Sequence, residues 1–348
     1  MAHATSINWH PYVGHNLIEE VSIEIGGQTI DKHYGSWLNI WNELTQTAEK
    51  EDGYKTMVGN TAVLTSTDAG SPDSTPATTL YIPLQFWFCR NPGLALPLIA
   101  LQYHEVKFNI TFAALSTLCD ATPSNSPSLN ASLYVDYIYL DTDERRQFAQ
   151  VQHEYLIEQL QYTGAETVST GAVKSKLALN HPCKELVWVV QPDGNAPAEF
   201  DLAGAQTVTS AKLQLNGQDR FAERPGAYFN LVQPYQHHTN IPSVGIYVYS
   251  FALNPEQHQP SGTVNMSRID NATLQLTTGL GVGGSGSLKV FAVNYNVLRI
   301  MAGMGGLALT LILIILEQSI KVSFEKELAS EVYNTLQHFQ IDGELLRA

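Results

Sequence analysis

The feature that most constrains the fold of this chain is an internal repeat. The stretch Ile23–Gln28 (Ile-Glu-Ile-Gly-Gly-Gln) matches Leu213–Gln218 (Leu-Gln-Leu-Asn-Gly-Gln). Shortly after, Gly35–Ile40 matches Gly226–Leu231, and both segments carry aromatic residues. Self-similarity of this kind indicates that one structural unit occurs twice. Each copy is predicted to contain a strand, a tight glycine turn and a helical segment that bears aromatic side chains.

Two further matches follow in the same order along the chain. The Asn-Pro dipeptide at 91–92 corresponds to the one at 254–255, and Tyr134–Tyr137 corresponds to Ala292–Tyr295. Four matches in one order predict two tandem copies of one β-domain. Between them, Asp141–Gln150 places acidic residues before basic ones, which suits a short linking helix because the charges complement the helix dipole.

Most segments alternate apolar and polar residues with a period of two, which is typical of half-buried strands. The predicted strands are Val21–Ile25, Leu80–Phe88, Val106–Phe112, Leu133–Leu140, Tyr155–Tyr162, Glu185–Gln191, Ala211–Leu215, Ile246–Leu253, Ala272–Thr277 and Leu288–Arg299. Long polar loops separate them, and many strands joined by such loops favour a β-sandwich architecture. One helix is predicted at Ser36–Thr47, because its apolar residues share a helical face.

The two copies are unequal in length. The second copy has about 60 residues, His153–Lys212, before its Leu-x-Leu-Asn-Gly strand, whereas the first has 22 residues before Ile23. The difference corresponds to two or three strands of ordinary length. The first β-domain is therefore predicted to be truncated at its N-terminal side.

The charge of the chain restricts its partners. The formal net charge is −14, and only 15% of the 348 residues are charged, where about 25% is usual. An acidic chain without a basic cluster is unsuited to nucleic acid, because binding requires cations that displace phosphate counterions. The low charge fraction is a hint that other subunits cover part of the surface. Cys89, Cys119 and Cys183 follow no metal or disulfide spacing and are expected to be free thiols in a reducing compartment. No secretory signal is predicted.

No set of residues matches a known chemistry. Two His-Glu pairs, at 104–105 and 153–154, resemble the start of a zinc-binding helix, but the position four residues after each histidine holds Phe108 or Ile157. The adjacent histidines at 237–238 would point to opposite sides of an extended backbone and are poorly placed to share a metal. A nucleophile elbow, a Walker loop and a His-x-His pair are all absent from the sequence. We therefore predict no catalytic, cofactor-binding or metal-binding residues, no cofactor, and a protein that is not an enzyme.

Five long strings of the sequence carry a family resemblance. They are Ile23–Gly35, Pro83–Gly93, Asp141–Arg146, Asn230–His238 and Asn294–Met301. These strings resemble the major capsid proteins of the nucleocytoplasmic large DNA viruses, a group that includes iridoviruses and phycodnaviruses. The resemblance spans about residues 9–308. It implies two jelly rolls standing side by side, three chains forming a trimer of pseudo-hexagonal outline, and trimers tiling an icosahedral shell over an internal membrane.

The predicted fold is therefore all-β: two tandem jelly-roll β-sandwiches, the first truncated, with short helices in loops and a helical C-terminal tail. The first jelly roll is placed at 1–141, the linker helix at 142–152, the second jelly roll at 153–308 and the tail at 309–348. The resemblance ends before the tail, which joins an apolar run to a helical pattern. Three interpretations of the tail stay open: a reading-frame or gene-fusion scar, an added helix packed on the shell, and a membrane anchor.

These observations predict a structural capsid protein that is located in the virion and assembled in the host cytoplasm. Its expected partners are further copies of itself, neighbouring capsomers, and minor capsid and penton proteins. An internal viral membrane is expected nearby, and direct contact with nucleic acid is not. One alternative is a jelly-roll virion surface protein that binds host glycans through its loops. Another is a cupin-like oxygenase, which would require bound iron.

Overall fold

The computed structural model describes residues 9–65, 78–119 and 129–308. The predicted helical tail, residues 309–348, lies outside the described residues. Below, the first half is residues 9–141 and the second half is residues 153–308, following the sequence repeat.

The first half contains one small sheet and several short helices. Its helices are α1 (Val13–Leu17), α2 (Gly35–Thr45), α3 (Ala48–Val58), α4 (Ala62–Thr65) and α5 (Trp87–Arg90), and its strands are β1 (Ile18–Ile25), β2 (Gln28–Tyr34) and β3 (Val106–Phe112). The strands form an antiparallel sheet in the order β2-β1-β3. Gly26 and Gly27 join β1 to β2 and have φ angles of 60° and 81°. Glycine fits this turn because it adopts positive φ without steric cost.

Helix α6 (Thr142–Gln150) links the two halves. Asp141 and Glu144 form a capping box at its N-terminus, so two backbone N–H groups at the helix start are satisfied by side chains. The second half then contains strands β4 (His153–Ser169), β5 (Gly171–Leu177), β6 (Pro182–Pro192), β7 (Val208–Leu215), β8 (Gln218–Asp219), β9 (Arg224–Pro225), β10 (Ile246–Ser250), β11 (Val264–Asn265), β12 (Ala272–Thr278), β13 (Ser285–Met301) and β14 (Met304–Leu307), together with helix α7 (Gln233–His237).

The second half is a sandwich of two sheets. One sheet has the order β10-β6-β13-β14, with β4 also paired to β13 and β11 to β6. The other has the order β5-β12-β7-β8, with β9 also paired to β7. Side chains from both sheets, among them Trp188, Leu213, Leu274 and Val290, form one buried core. Strand β12 alternates buried and partly exposed residues, as expected when one face of a strand covers a core.

The repeat that was predicted from the sequence is present in the fold. Strand β1, a glycine turn, β2 and helix α2 follow one another in the first half. In the second half β7 leads through Asn216 and Gly217 into β8, and a π-helical segment, Tyr228–Val232, stands where α2 stands in the first half. The predicted helix Ser36–Thr47 is confirmed as α2, with its bounds shifted by one or two residues.

Two expectations about the first half were wrong in detail. Leu80–Phe88 was predicted as a strand, yet residues 78–86 belong to no strand and α5 begins at Trp87. Phe86 and Trp87 are both buried, and the chain turns into α5 between them instead of continuing as an extended strand. Leu133–Leu140 is likewise in no strand. Helix α3 was not predicted, since only Tyr54 and Val58 of its residues are buried and its apolar periodicity is weak.

No helix within residues 9–65, 78–119 and 129–308 is long and apolar enough to cross a bilayer.

Candidate assembly site: the contact between the halves and the exposed apolar faces

Helix α2 of the first half packs against the large sheet of the second half. The apolar side chains in this contact are Trp37, Ile40, Trp41 and Leu44 of α2 and Val187, Val189, Ile246, Val248, Phe291 and Val293 of β6, β10 and β13. The Trp37 and Phe291 rings lie 5.4 Å apart between centroids. The aromatic side chains of α2 are therefore core residues that join the two halves, and they do not form a ligand-binding cage.

The core of the first half also includes residues of the second half. Ile23, Ile25 and Phe86 belong to one buried cluster together with Leu298 and Leu307 of β13 and β14. Because each half buries side chains of the other, the two halves share apolar cores and are expected to unfold together.

A buried charge cluster lies beside the α2 contact. The Glu158 carboxylate of β4 accepts a hydrogen bond from Lys184 Nζ at 2.8 Å and another from Arg90 Nη2 at 2.6 Å. The Lys184 side chain is fully buried and that of Glu158 nearly so. Arg90 also stacks over the Trp41 ring, 4.8 Å from its centroid. Arg90 comes from the first half and Lys184 from the second, so Glu158 links the halves through two charge-assisted hydrogen bonds.

Polar groups also join β2 to β4 along the same contact. Asp31 Oδ1 accepts a hydrogen bond from the Leu160 backbone N–H at 3.0 Å. The Gln159 side-chain amide donates to the Ile30 carbonyl. The His33 ring and the second Asp31 oxygen are 3.0 Å apart, and both side chains are buried. The hydrogen bonds of Asp31 with Leu160 and of Gln159 with Ile30 cross between β2 and β4 and fix their relative position, which a purely apolar contact would leave free to slide.

A second buried charge cluster is centred on His238. Its Nε2 lies 3.0 Å from Glu185 Oε2, its Nδ1 lies 3.0 Å from Glu256 Oε1, and its side chain is fully buried. Burial alone would lower the pKa of His238, but the charges and hydrogen bonds of the two carboxylates outweigh burial and raise the pKa to about 9. His238 is therefore protonated at neutral pH and neutralises Glu185, which would otherwise be an uncompensated buried charge.

Several large apolar side chains face solvent in groups. One group, the 231–253 patch, consists of Leu231, Val232, Tyr235 and Leu253. Another, the hairpin patch, consists of Tyr103, Met301 and Met304, where the Tyr103 backbone N–H donates to the Gly303 carbonyl at 3.0 Å. A third lies in residues 129–140 and consists of Leu129, Leu133, Tyr134, Val135, Tyr137, Ile138 and Tyr139. Grouped exposed apolar side chains mark surfaces that bind other proteins, whereas single ones are ordinary.

The histidines considered as metal ligands each have structural partners. His104 Nδ1 lies 3.1 Å from the Gly305 backbone nitrogen, and His153 Nε2 lies 2.7 Å from the Phe148 carbonyl. His237 contacts the Leu253 carbonyl, whereas its neighbour His238 contacts carboxylates. Among residues 9–65, 78–119 and 129–308, no group of three or more His, Cys, Asp or Glu side chains is arranged to hold a metal ion.

Neither buried charge cluster was predicted from the sequence. Glu158, Lys184 and Glu185 all lie within strands that are otherwise rich in apolar residues. Charged residues inside an apolar run are rarely buried unless they are paired. The sequence Lys184-Glu185 directly before Leu-Val-Trp-Val-Val could therefore have indicated a buried ion pair. Their partners, such as Arg90, are far away in sequence and could not be identified from it.

The structure thus defines a class of protein: two β-rich halves that shared apolar cores and buried polar groups hold together, with apolar faces exposed on the outside. This is the architecture of a building block for an assembly.

Comparisons with known proteins agree with this class. A family described as "Large eukaryotic DNA virus major capsid protein" matches residues 144–306, and one described as "Major capsid protein N-terminus" matches residues 1–141. The chain is 57% identical over 320 residues to the major capsid protein of Pyramimonas orientalis virus, covering 85% of this chain and 77% of that protein. It is 42% identical to the major capsid protein of Paramecium bursaria Chlorella virus 1, covering 85% of this chain and 80% of that protein.

A solved structure gives the same result for the fold. The chain superposes on a chain of "PBCV-1 virus capsid, quasi-atomic model" with a TM-score of 0.73 and 38% sequence identity, covering 87% of this chain and 86% of that one. The chain belongs to the major capsid protein family of large eukaryotic DNA viruses. Its fold is the double jelly roll, and it is a structural component of the virion capsid and not an enzyme. Trimerisation and icosahedral tiling fit this family. The family and the double jelly-roll fold that the sequence strings predict are confirmed.

Proposed function

We propose that this chain is the repeating unit of an icosahedral shell, and that three copies associate through their exposed apolar faces into a pseudo-hexagonal capsomer. The observation that carries the proposal is the packing of α2 on the second-half sheet. That contact joins the two halves into one block. Three such blocks around a threefold axis present six similar β-domains, so one gene yields a nearly sixfold tile.

The proposal includes further partners and a place of assembly. Minor capsid and penton proteins contact the capsomer from outside the trimer, and an internal viral membrane lies beneath it. Assembly occurs in the host cytoplasm. Cys89 and Cys183 support the last point, because both are free thiols and a reducing compartment keeps thiols in that form. The division into a first jelly roll at 1–141, a linker at 142–152 and a second jelly roll at 153–308 is part of the same proposal.

Native mass tests the trimer directly. The full chain, measured by size-exclusion chromatography with light scattering, should have about three times its monomer mass of 38.3 kDa. A monomer at all protein concentrations would contradict the proposal, and so would a stable dimer.

A matched pair of variants tests the surface. Tyr235→Lys places a charge in the 231–253 patch, whereas Val282→Lys places one on a fully exposed side chain of a glycine-rich turn. Because a charge buried in an interface without a partner costs several kcal/mol, Tyr235→Lys should convert trimer to monomer. Val282→Lys should leave the mass unchanged. Equal masses for both variants would show that the 231–253 patch is not part of the interface.

A further inference from the structure

A closed ring of three identical chains needs two different contact surfaces on each chain. A surface that meets its own copy relates two chains by a twofold axis and closes a dimer, whereas a ring joins one surface of each chain to a different surface of the next chain. The 231–253 patch therefore cannot build a trimer by contacting the same patch of a neighbour. In the trimer proposed above, its partner must be another surface of the chain.

The 231–253 patch is fixed in place before any partner binds. Leu231 and Val232 belong to a π-helical turn, and the Asn230 side-chain amide in that turn donates a hydrogen bond to the Ile246 carbonyl of β10 at 3.0 Å. Single π-helical turns occur frequently at functional sites. A surface that is already ordered loses little conformational entropy when it binds, so this patch is suited to association.

The hairpin patch is fixed in place as well. Met301 and Met304 lie opposite each other next to the turn between β13 and β14. The Tyr103 backbone N–H donates to the Gly303 carbonyl in that turn, and a Cβ atom added to Gly303 would lie 2.4 Å from the Tyr103 ring. The ring therefore lies directly on the turn. Residues 129–140, the third exposed apolar group, belong to no strand or helix, so the hairpin patch is the better ordered partner surface.

The two patches lie in different parts of the molecule. Ser250 borders the 231–253 patch, since its backbone N–H donates to the Gln233 side chain at 3.1 Å. Ser250 is level with Val293 of β13, because both pair with Glu185 of β6. Met301 lies at the far end of β13, about 26 Å further along the strand at the usual rise per residue. One chain in a ring can therefore direct one patch towards each of its two neighbours.

The sizes of the two patches fit a contact between them. At roughly 200 Å² for each large side chain, the exposed fractions of their side chains correspond to about 350–450 Å² on each patch. One contact then buries about 800 Å² in total from the patches alone, and each chain of a ring makes two such contacts. Removing one chain therefore exposes about 1,600 Å², which is the standard size of a stable interface.

We propose that the hairpin patch of each chain packs against the 231–253 patch of the next chain around the threefold axis. The thioethers of Met301 and Met304 contact the Tyr235 ring across this interface, because methionine side chains adapt in shape and sulfur interacts favourably with aromatic rings. The pairing joins two different surfaces, so both patches of every chain are covered when the third chain closes the ring.

Charge variants of the full-length chain test which surfaces meet. Tyr235→Lys and Met304→Glu each place an unpaired charge in the proposed contact, so each variant alone should have the monomer mass of 38.3 kDa by size-exclusion chromatography with light scattering. The double variant Tyr235→Lys/Met304→Glu should recover the trimer, because the opposite charges then lie in the same contact. Tyr235→Lys combined with Met57→Glu, which changes an exposed methionine outside both patches, should stay monomeric. A trimeric Met304→Glu variant, or equal masses of the two double variants, would overturn the pairing.

Cross-linking between two differently substituted chains tests the same contact directly. In a Cys89→Ser background, one chain carries Leu253→Cys, the other carries Met301→Cys, and the two are co-expressed. A short thiol-specific cross-linker should join one chain of each kind, and using Met57→Cys in place of Met301→Cys should abolish this product. Cross-links between two Leu253→Cys chains would overturn the proposal, because they would place the 231–253 patch against itself. A trimer of the parent mass without the mixed cross-link would overturn the pairing and leave the trimer standing, whereas a monomeric parent chain would overturn both.

Discussion

Replacing Glu158 by glutamine tests whether the buried charges hold the two halves together. The substitution keeps the size of the side chain but removes its charge. Lys184, which has no exposed side-chain surface, then lacks a carboxylate partner, and Arg90 loses its ion pair as well. Leaving a buried charge uncompensated costs about 3–5 kcal/mol. The free energy of unfolding should fall by that amount.

The same strand supplies a control. Glu154 lies four residues before Glu158 on β4 and also pairs with an arginine, Arg299, at 2.7 Å. Its side chain is 50% exposed, compared with 4% for Glu158. Exposed ion pairs contribute about 0–1 kcal/mol, so Glu154→Gln should change stability little. Both variants replace a glutamate of β4 that pairs with an arginine, and they differ in how deeply that glutamate is buried.

Urea unfolding at one protein concentration, followed by tryptophan fluorescence, measures both variants. A double variant that adds Lys184→Met to Glu158→Gln should recover part of the loss, because Lys184 no longer leaves a buried charge unpaired. If the two single variants lose the same free energy within about 1 kcal/mol, the buried cluster does not contribute as argued. No recovery in the double variant would equally contradict the unpaired charge as the cause.

Three other predictions concern particular positions. The pKa of His238 is raised to about 9. The contribution of protonated His238 to the free energy of unfolding is therefore complete below about pH 6.5 and is lost as pH rises through 9. Melting temperatures at pH 7 and pH 10 should reveal a loss of stability of up to about 3 kcal/mol, and His238→Gln should not show this loss. A Cβ atom at Gly226 would lie 2.0 Å from the Val208 carbonyl oxygen, so Gly226→Ala should lower the melting temperature strongly. A Cβ atom at Gly53 would have no atom within 4 Å, so Gly53→Ala should raise the free energy of unfolding by about 0.5–1 kcal/mol. Trp37→Ala should cost about 3–5 kcal/mol and expose the contact between the halves to limited proteolysis; unchanged stability would mean that α2 does not join them.

Much of the fold was predictable from the sequence because the same local pattern occurs twice. The glycine turn after β1 and the Asn216-Gly217 turn after β7 are both determined by backbone conformations that few residues adopt. Strand β12 was predictable because burial on a sheet face follows a period of two, and both ends of β13 show the same alternation. These signals are local, so neighbouring residues suffice to read them.

Other parts of the structure depend on contacts that the sequence does not display. Leu80–Phe88 alternates like a strand, but residues 78–86 belong to no strand and the backbone turns into α5 at Trp87, where Phe86 and Trp87 are both buried in the core. The partner of Glu158 in the first half, Arg90, is 68 positions away in sequence. Tertiary packing decided both cases, and a residue pattern cannot reveal which distant side chain will lie opposite.

The two kinds of contact between the halves have different consequences for assembly. The apolar packing of α2 against the sheet supplies most of the attraction, but apolar contact is non-directional and permits small rotations. The hydrogen bonds from Arg90 to Glu158 and from the Leu160 N–H to Asp31 have defined geometry and permit one arrangement. Buried ion pairs often add little net stability over apolar residues of similar size. We therefore infer that these polar contacts mainly fix the angle between the two halves. A small error in that angle would recur in every subunit of a shell.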